Sequence, residues 1–155
     1  MALAALCEDP EWGLTGRDVL QHRFEGQGEL DNHALGNLLI LALWQLLGDE
    51  VSGLDWVGRL LGAQGRVLPM ATTPIDIEAD MNDDGRCYVV SGQCKVAIAP
   101  GTVEHVRINP EAPEVPAAAI DAISEADWVV LGPGSWYTSV IPHLLVPEIN
   151  RALAT

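Results

Sequence analysis

The stretch VVLGPGSWYTSVIPHLL, residues 129–145, decides how this chain folds. An unbroken apolar run reads as a β-strand covered on both faces, as in a parallel sheet. The run stops at Gly132, Pro133 and Gly134, passes the hydroxyls of Ser135, Tyr137, Thr138 and Ser139, and turns apolar again with helical spacing. The pattern predicts a buried strand over WVVLG (128–132) at the centre of a sheet and a helix beginning near Ser139. Strand, glycine loop, helix is the local grammar of an α/β sheet, whose ligand crevice opens at the carboxyl ends of its strands. Gly132 and Gly134 let backbone approach a ligand and adopt positive φ, and Pro133 stiffens the turn. Ser135, Thr138 and Ser139 add hydroxyls and amides at a helix start, where partial positive charge favours phosphate. The bland alternative is a tight strand-to-helix turn with capping serines.

Upstream, the signals alternate. A loop over 8–18 leads into a short helix near 19–24. Asp31 or Asn32 then caps a helix over 34–47, which Gly48 ends. That helix is apolar nearly all round, so it is expected inside the protein. A second helix is predicted over 53–61. From Arg66 the period becomes strand-like, with VLPMA (67–71) and the alternating IDIEADM (75–81). Asp84-Gly85 marks a turn, RCYVVSG and QCKVAIA form a further pair around Ser91-Gly92, and VEHVRIN (103–109) adds another strand. This middle block reads as antiparallel. After the proline-marked NPEAPEVP, a short helix is predicted over 117–124. The helical pattern still runs at RALAT (151–155), as in part of a larger protein.

The length of 155 residues fits one domain with a real core, largely aliphatic because aromatics are 5% of the chain. No apolar run approaches the roughly 18 residues needed to span a bilayer, so no membrane insertion is expected. The net charge of −14 sets 22 acids against 8 bases. Such a field repels nucleic acid and anionic membrane surfaces, while a small phosphorylated ligand can still be held by local amides. Cys7, Cys87 and Cys94 are expected as reduced thiols of a cytoplasmic protein. Asp76, Glu78 and Asp80 share one strand face, which reads as solvated rather than metal-binding. No nucleophile–base pair and no metal set emerge from spacing, and self-association is left open.

Three segments together carry a resemblance: VVLGPGSWYTSVIPHLLVPEI (129–149), HRFEGQGELDNHALGNLLILAL (22–43) and GRVLPMATTP (65–74). Their order and spacing resemble the gluconeogenesis factor family of the CofD-like superfamily, which also holds the 2-phospho-L-lactate transferases of deazaflavin cofactor biosynthesis. The resemblance implies a Rossmann-like α/β core with a mixed sheet and the antiparallel block in the middle of the chain. It makes residues 1–155 a partial CofD-like domain, the middle portion of the family fold. The family's glycine-rich first turn of GGGTG type and its segment beyond GPGS are not in this chain. HALGN stands where many members read HSxGN, and Trp136 where leucine is usual. The implied function is binding of a UDP-sugar such as UDP-N-acetylglucosamine by a cytoplasmic regulator of cell shape and wall synthesis in gluconeogenic growth. No other cofactor is implied. The implied ligand set adds Arg23, His33, Gly36 and Asn37 to the loop residues Gly132, Pro133, Gly134, Ser135, Thr138 and Ser139. The competing function is a magnesium-dependent phospholactyl transferase, whose loop is of GPSNP type. GPGSWYTS favours the non-catalytic regulator.

Overall fold

The computed structural model describes Leu3, Leu6 and residues 12–155. The chain divides into two compact units, Met1–Pro69 and Met70–Thr155.

In the first unit, α1 spans Trp12–Gln21, α2 Leu35–Leu47 and α3 Glu50–Leu60. α1 thus starts before the predicted helix and ends inside it. Its two glycines, Gly13 and Gly16, weaken the local signal, but burial of Leu20 against Leu54, Val57 and Leu61 holds the helix in place. Residues 8–11 of the predicted loop lie outside the described residues. α2 ends on Gly48 as expected, in the left-handed conformation. Its N-cap is Ala34, without a side-chain cap, rather than Asp31 or Asn32. The expected burial of α2 holds for one face. Leu39, Ile40, Leu43 and Trp44 pack on the core, whereas Leu41, Leu46 and Leu47 are exposed. One stripe is all that the helices among the described residues cover. α3 starts three residues earlier than the apolar spacing implies, because Asp49 caps it by accepting from the Ser52 amide at 2.6 Å.

Arg66 clamps Asp55 bidentately, with both contacts at 2.7 Å. The hydrogen bonds from Arg66 hold the Asp55 carboxyl below its usual range. A depressed carboxylate stabilises the fold above its ordinary pKa of about 4, and that stabilisation is lost as pH falls through the folded value. Because half of the Arg66 side chain is exposed, 50%, the pair contributes only about 0.5–1 kcal/mol. Asp55→Asn should therefore lower urea-unfolding stability by that amount at pH 7. The difference from the parent protein should shrink as pH falls below the ordinary carboxylate range and vanish once Asp55 is protonated in the folded protein. A gap that persists then would mean that packing, and not the ion pair, is what the substitution disturbs.

In the second unit, β1 (Asp76–Asp83), β2 (Arg86–Ser91) and β3 (Thr102–Asn109) form an antiparallel sheet in the order β2-β1-β3. The strict alternation in β1 sends Ile77, Ala79 and Met81 into the core and Asp76, Glu78 and Asp80 to the other face. Register then selects the polar partner. Glu78 lies opposite Arg107, whose guanidinium binds Glu78 at 2.9 Å and Asp80 at 2.8 Å. The acidic face is an ion-paired surface. Asp84 and Gly85, both at positive φ, close the β1–β2 hairpin as expected.

QCKVAIA is not a strand. Gln93–Ile98 forms a short helix, α4. β1 already has a neighbour on each edge, so the link from β2 to β3 must cross the sheet, and it does so with Val96 in the core. Cys87 and Cys94 therefore share no hairpin; both are free and exposed, while Cys7 lies outside the described residues. VLPMA forms no ladder either, and Pro69 has no amide to give to one. α5 takes Ala117–Ser124, as predicted. Helices α6 (Ile141–Leu145) and α7 (Pro147–Leu153) complete the unit, and Ile141 and Leu145 close the sheet core. The mixed α/β class with an antiparallel middle is what the sequence predicts. No helix among the described residues is long and apolar enough to cross a membrane.

Candidate functional site

The segment entering the glycine loop departs from expectation. Trp128 and Val130 are 89% and 82% exposed, and Val129 and Leu131 are about half exposed. They belong to no strand, so the predicted central, buried strand is absent from this unit. A strand covered on both faces needs ladder partners at its edges as well as helices on its faces. The three strands here pair only with each other, and no described segment offers those residues a ladder.

The loop itself is built for close approach. Gly132 has φ +107°, a conformation that side chains rarely adopt. Gly134 serves differently from expectation: it is not at positive φ, and an added Cβ would meet Ser139 Cβ at 2.8 Å. Its missing side chain makes room for Ser139. Ser135, at φ −59° and ψ 129°, then leads into a π-helical turn, Trp136–Val140, which starts earlier than the predicted helix and continues into α6. The Ser135 carbonyl accepts from both the Ser139 amide (2.8 Å) and the Val140 amide (3.1 Å). The amides of Ser135, Trp136, Tyr137 and Thr138 donate to no backbone carbonyl among the described residues, as expected for the first turn of a helix. They remain available to an anion.

Beside the loop lies a cleft of about 330 Å³, lined by Val130, Leu131, Gly132, Pro133, Ser139, Val140 and His143. Ser139 therefore faces a cavity, whereas Thr138 as a residue is buried and does not line the cleft. Sequence reading missed His143. Its Nδ1 lies 2.8 Å from the Ser139 carbonyl, and the spacing of four residues on a helix was the available signal.

The other expected ligand residues belong to the first unit. Arg23 pairs with Ala34 in an isolated bridge, and its Nη1 donates to the Asn32 carbonyl at 2.6 Å. His33 Nδ1 lies 3.2 Å from the Asp31 carbonyl. Gly36 is buried in the first turn of α2, and Asn37 beside it is exposed. The bridge brings Arg23 and His33 to the foot of α2. Among the described residues, no three His, Cys, Asp or Glu side chains are grouped to hold a metal ion.

The family model described as 2-phospho-L-lactate transferase CofD matches residues 1–155. The chain belongs to the CofD family. Within it, the chain is 49% identical over 157 residues to the "Putative gluconeogenesis factor" of Mycobacterium tuberculosis, covering 99% of this chain and 46% of that protein. It is 39% identical over 134 residues to the "Gluconeogenesis factor" of Bacillus subtilis, covering 86% of this chain and 41% of the relative. The crystal structure of protein BH3568 from Bacillus halodurans superposes with a TM-score of 0.86 at 36% identity, over 97% of this chain and 47% of that one. This CofD-family chain thus spans under half the length of the relatives it matches. The superposition fits the Rossmann-like α/β class expected from the resemblance.

Proposed function

We propose that this chain supplies the phosphate-holding part of a nucleotide-sugar-binding regulator of UDP-N-acetylglucosamine type. The regulator acts in the cytoplasm on cell shape and wall synthesis during gluconeogenic growth. One observation carries the reading: the amides of residues 135–138, without a backbone partner among the described residues, follow shortly after the positive-φ Gly132 beside a cleft. In a chain of net charge −14, long-range attraction cannot recruit a diphosphate. Directed backbone donors can hold one once it arrives. The names of the relatives support the gluconeogenic setting.

The description of the family model favours a second reading, a magnesium-dependent phospholactyl transferase. Calorimetric titration of the full-length protein with UDP-N-acetylglucosamine, beside an assay of phospholactyl transfer to the deazaflavin precursor with magnesium, separates the two. Saturable binding without transfer is expected. Transfer without nucleotide-sugar binding would overturn the regulator in favour of the enzyme.

A further inference from the structure

Among the described residues, His143 is the only titratable side chain that lines the cleft. The second unit's other basic side chains, Arg86, Lys95, Arg107 and Arg151, do not line it, and Arg107 is committed to Glu78 and Asp80. Titratable groups on the elements around α6 also lie outside the lining: Tyr137 on the π-helical turn, Glu148 and Arg151 on α7, and Glu104 and His105 on β3. An anion in this cleft thus meets one side chain that can become a cation.

The state of that imidazole is set by its partner. A carbonyl oxygen only accepts, so the 2.8 Å contact with Ser139 requires a proton on Nδ1. In the neutral ring, Nε2 is then a lone pair, which repels a phosphate oxygen. One added proton turns it into a second donor and makes the ring cationic. The π-helical turn adds independent support. A π turn inserts a residue and so shifts the register of the downstream helix by roughly 100°, and such turns recur at functional sites. Here it sets Ser139 against Gly134 and puts both Ser139 and His143 on the cleft.

We propose that His143 is a binding residue that takes up a proton from solvent as a diphosphate diester enters the cleft, and donates from Nε2 to a phosphoryl oxygen while Nδ1 stays on the Ser139 carbonyl. This rests on the nucleotide-sugar reading and adds to it a charge supplied only on binding. The linkage has one sign: the bound anion favours the protonated ring, so affinity is greatest at low pH and falls as pH rises through the titration of the complex.

The test is titration of the full-length protein with UDP-N-acetylglucosamine between pH 6 and pH 8, in buffers of different ionisation enthalpy. This probe is suitable because a diphosphate diester lacks the ionisation near pH 6 of a phosphate monoester. Affinity should fall about tenfold from pH 6 to pH 8, the weight of one charge-assisted hydrogen bond, with a net proton taken up per ligand bound. His143→Gln should bind with a nearly pH-independent dissociation constant and without that uptake. In the parent protein, the His143 ring-proton NMR signal should titrate at higher pH in the complex than in the free state, a readout that needs no variant. Binding by the parent protein without proton uptake, or an unchanged ring titration, would overturn the role of His143 and leave the nucleotide-sugar reading standing. No binding at either pH would overturn both.

Discussion

Gly101→Ala is expected to cost the second unit about 3 kcal/mol of stability, whereas Gly85→Ala should cost only about 1–2 kcal/mol. Both glycines sit at nearly the same positive φ, +89° and +88°, so the conformational penalty of roughly 1–2 kcal/mol is common to both. The difference is space. At Gly85 an added Cβ meets nothing within 4 Å. At Gly101 it would run into the Asn82 carbonyl oxygen, with the Asn82 carbonyl carbon at 2.9 Å and Asp83 Cα at 3.1 Å. These are backbone atoms at the end of β1, where Thr102 begins its pairing with Asn82. Relief requires β3 to move off β1, and overpacking of this kind typically costs 1–3 kcal/mol. Hydrogen exchange of the β1 and β3 amides measures the loss in the unit concerned. Equal effects of the two substitutions would show that β1 and β3 do not approach as closely as described.

Ser135→Pro should weaken nucleotide-sugar binding by the full-length protein about tenfold or more while leaving its melting temperature nearly unchanged. Ser135 has φ −59°, which a proline ring adopts without strain. The preceding residue, Gly134, has no Cβ to clash with it. The substitution removes an amide that makes no backbone hydrogen bond among the described residues, so the fold loses little. A hydrogen bond to a charged phosphate is worth roughly 1.5–3 kcal/mol, and about 1.4 kcal/mol is tenfold in affinity. Ser135→Ala keeps the amide and should change affinity far less. Gly134→Val cannot make this distinction, because its side chain would displace Ser139 and disturb loop and ligand together. Equal affinity of the proline variant and the parent protein would remove this amide from the site.

How far the sequence could be read depends on where each element finds its partners. β1, the Asp84-Gly85 turn, β3 and α5 are legible because the information is local: strict alternation, a turn dipeptide, a proline before a run of alanines. QCKVAIA alternates as well as β3 does, yet it folds as α4. Its conformation is decided by the crossing from β2 to β3, a tertiary fact. Residues 128–131 show the opposite failure. Their composition matches a doubly covered strand, but a strand also needs ladder partners, and composition is silent on those. In the candidate site, Gly132 carries its signal in its residue type. The role of Gly134 emerges only through the π-helical turn, which no local pattern announces, whereas that of His143 is signalled locally only by its four-residue spacing from Ser139. Thr138 is a hydroxyl residue of a type suited to a ligand, yet the residue as a whole is buried and does not line the cleft.

The most direct test of the phosphate-holding loop is a crystal structure of the full-length protein with UDP-N-acetylglucosamine. A phosphoryl oxygen is expected within about 3 Å of the Ser135 or Trp136 amide nitrogen, with the ligand extending into the cleft beside Ser139 and His143. A nucleotide sugar bound elsewhere, with the amides of residues 135–138 left to solvent, would contradict it and return Gly132-Pro133-Gly134-Ser135 to an ordinary tight turn.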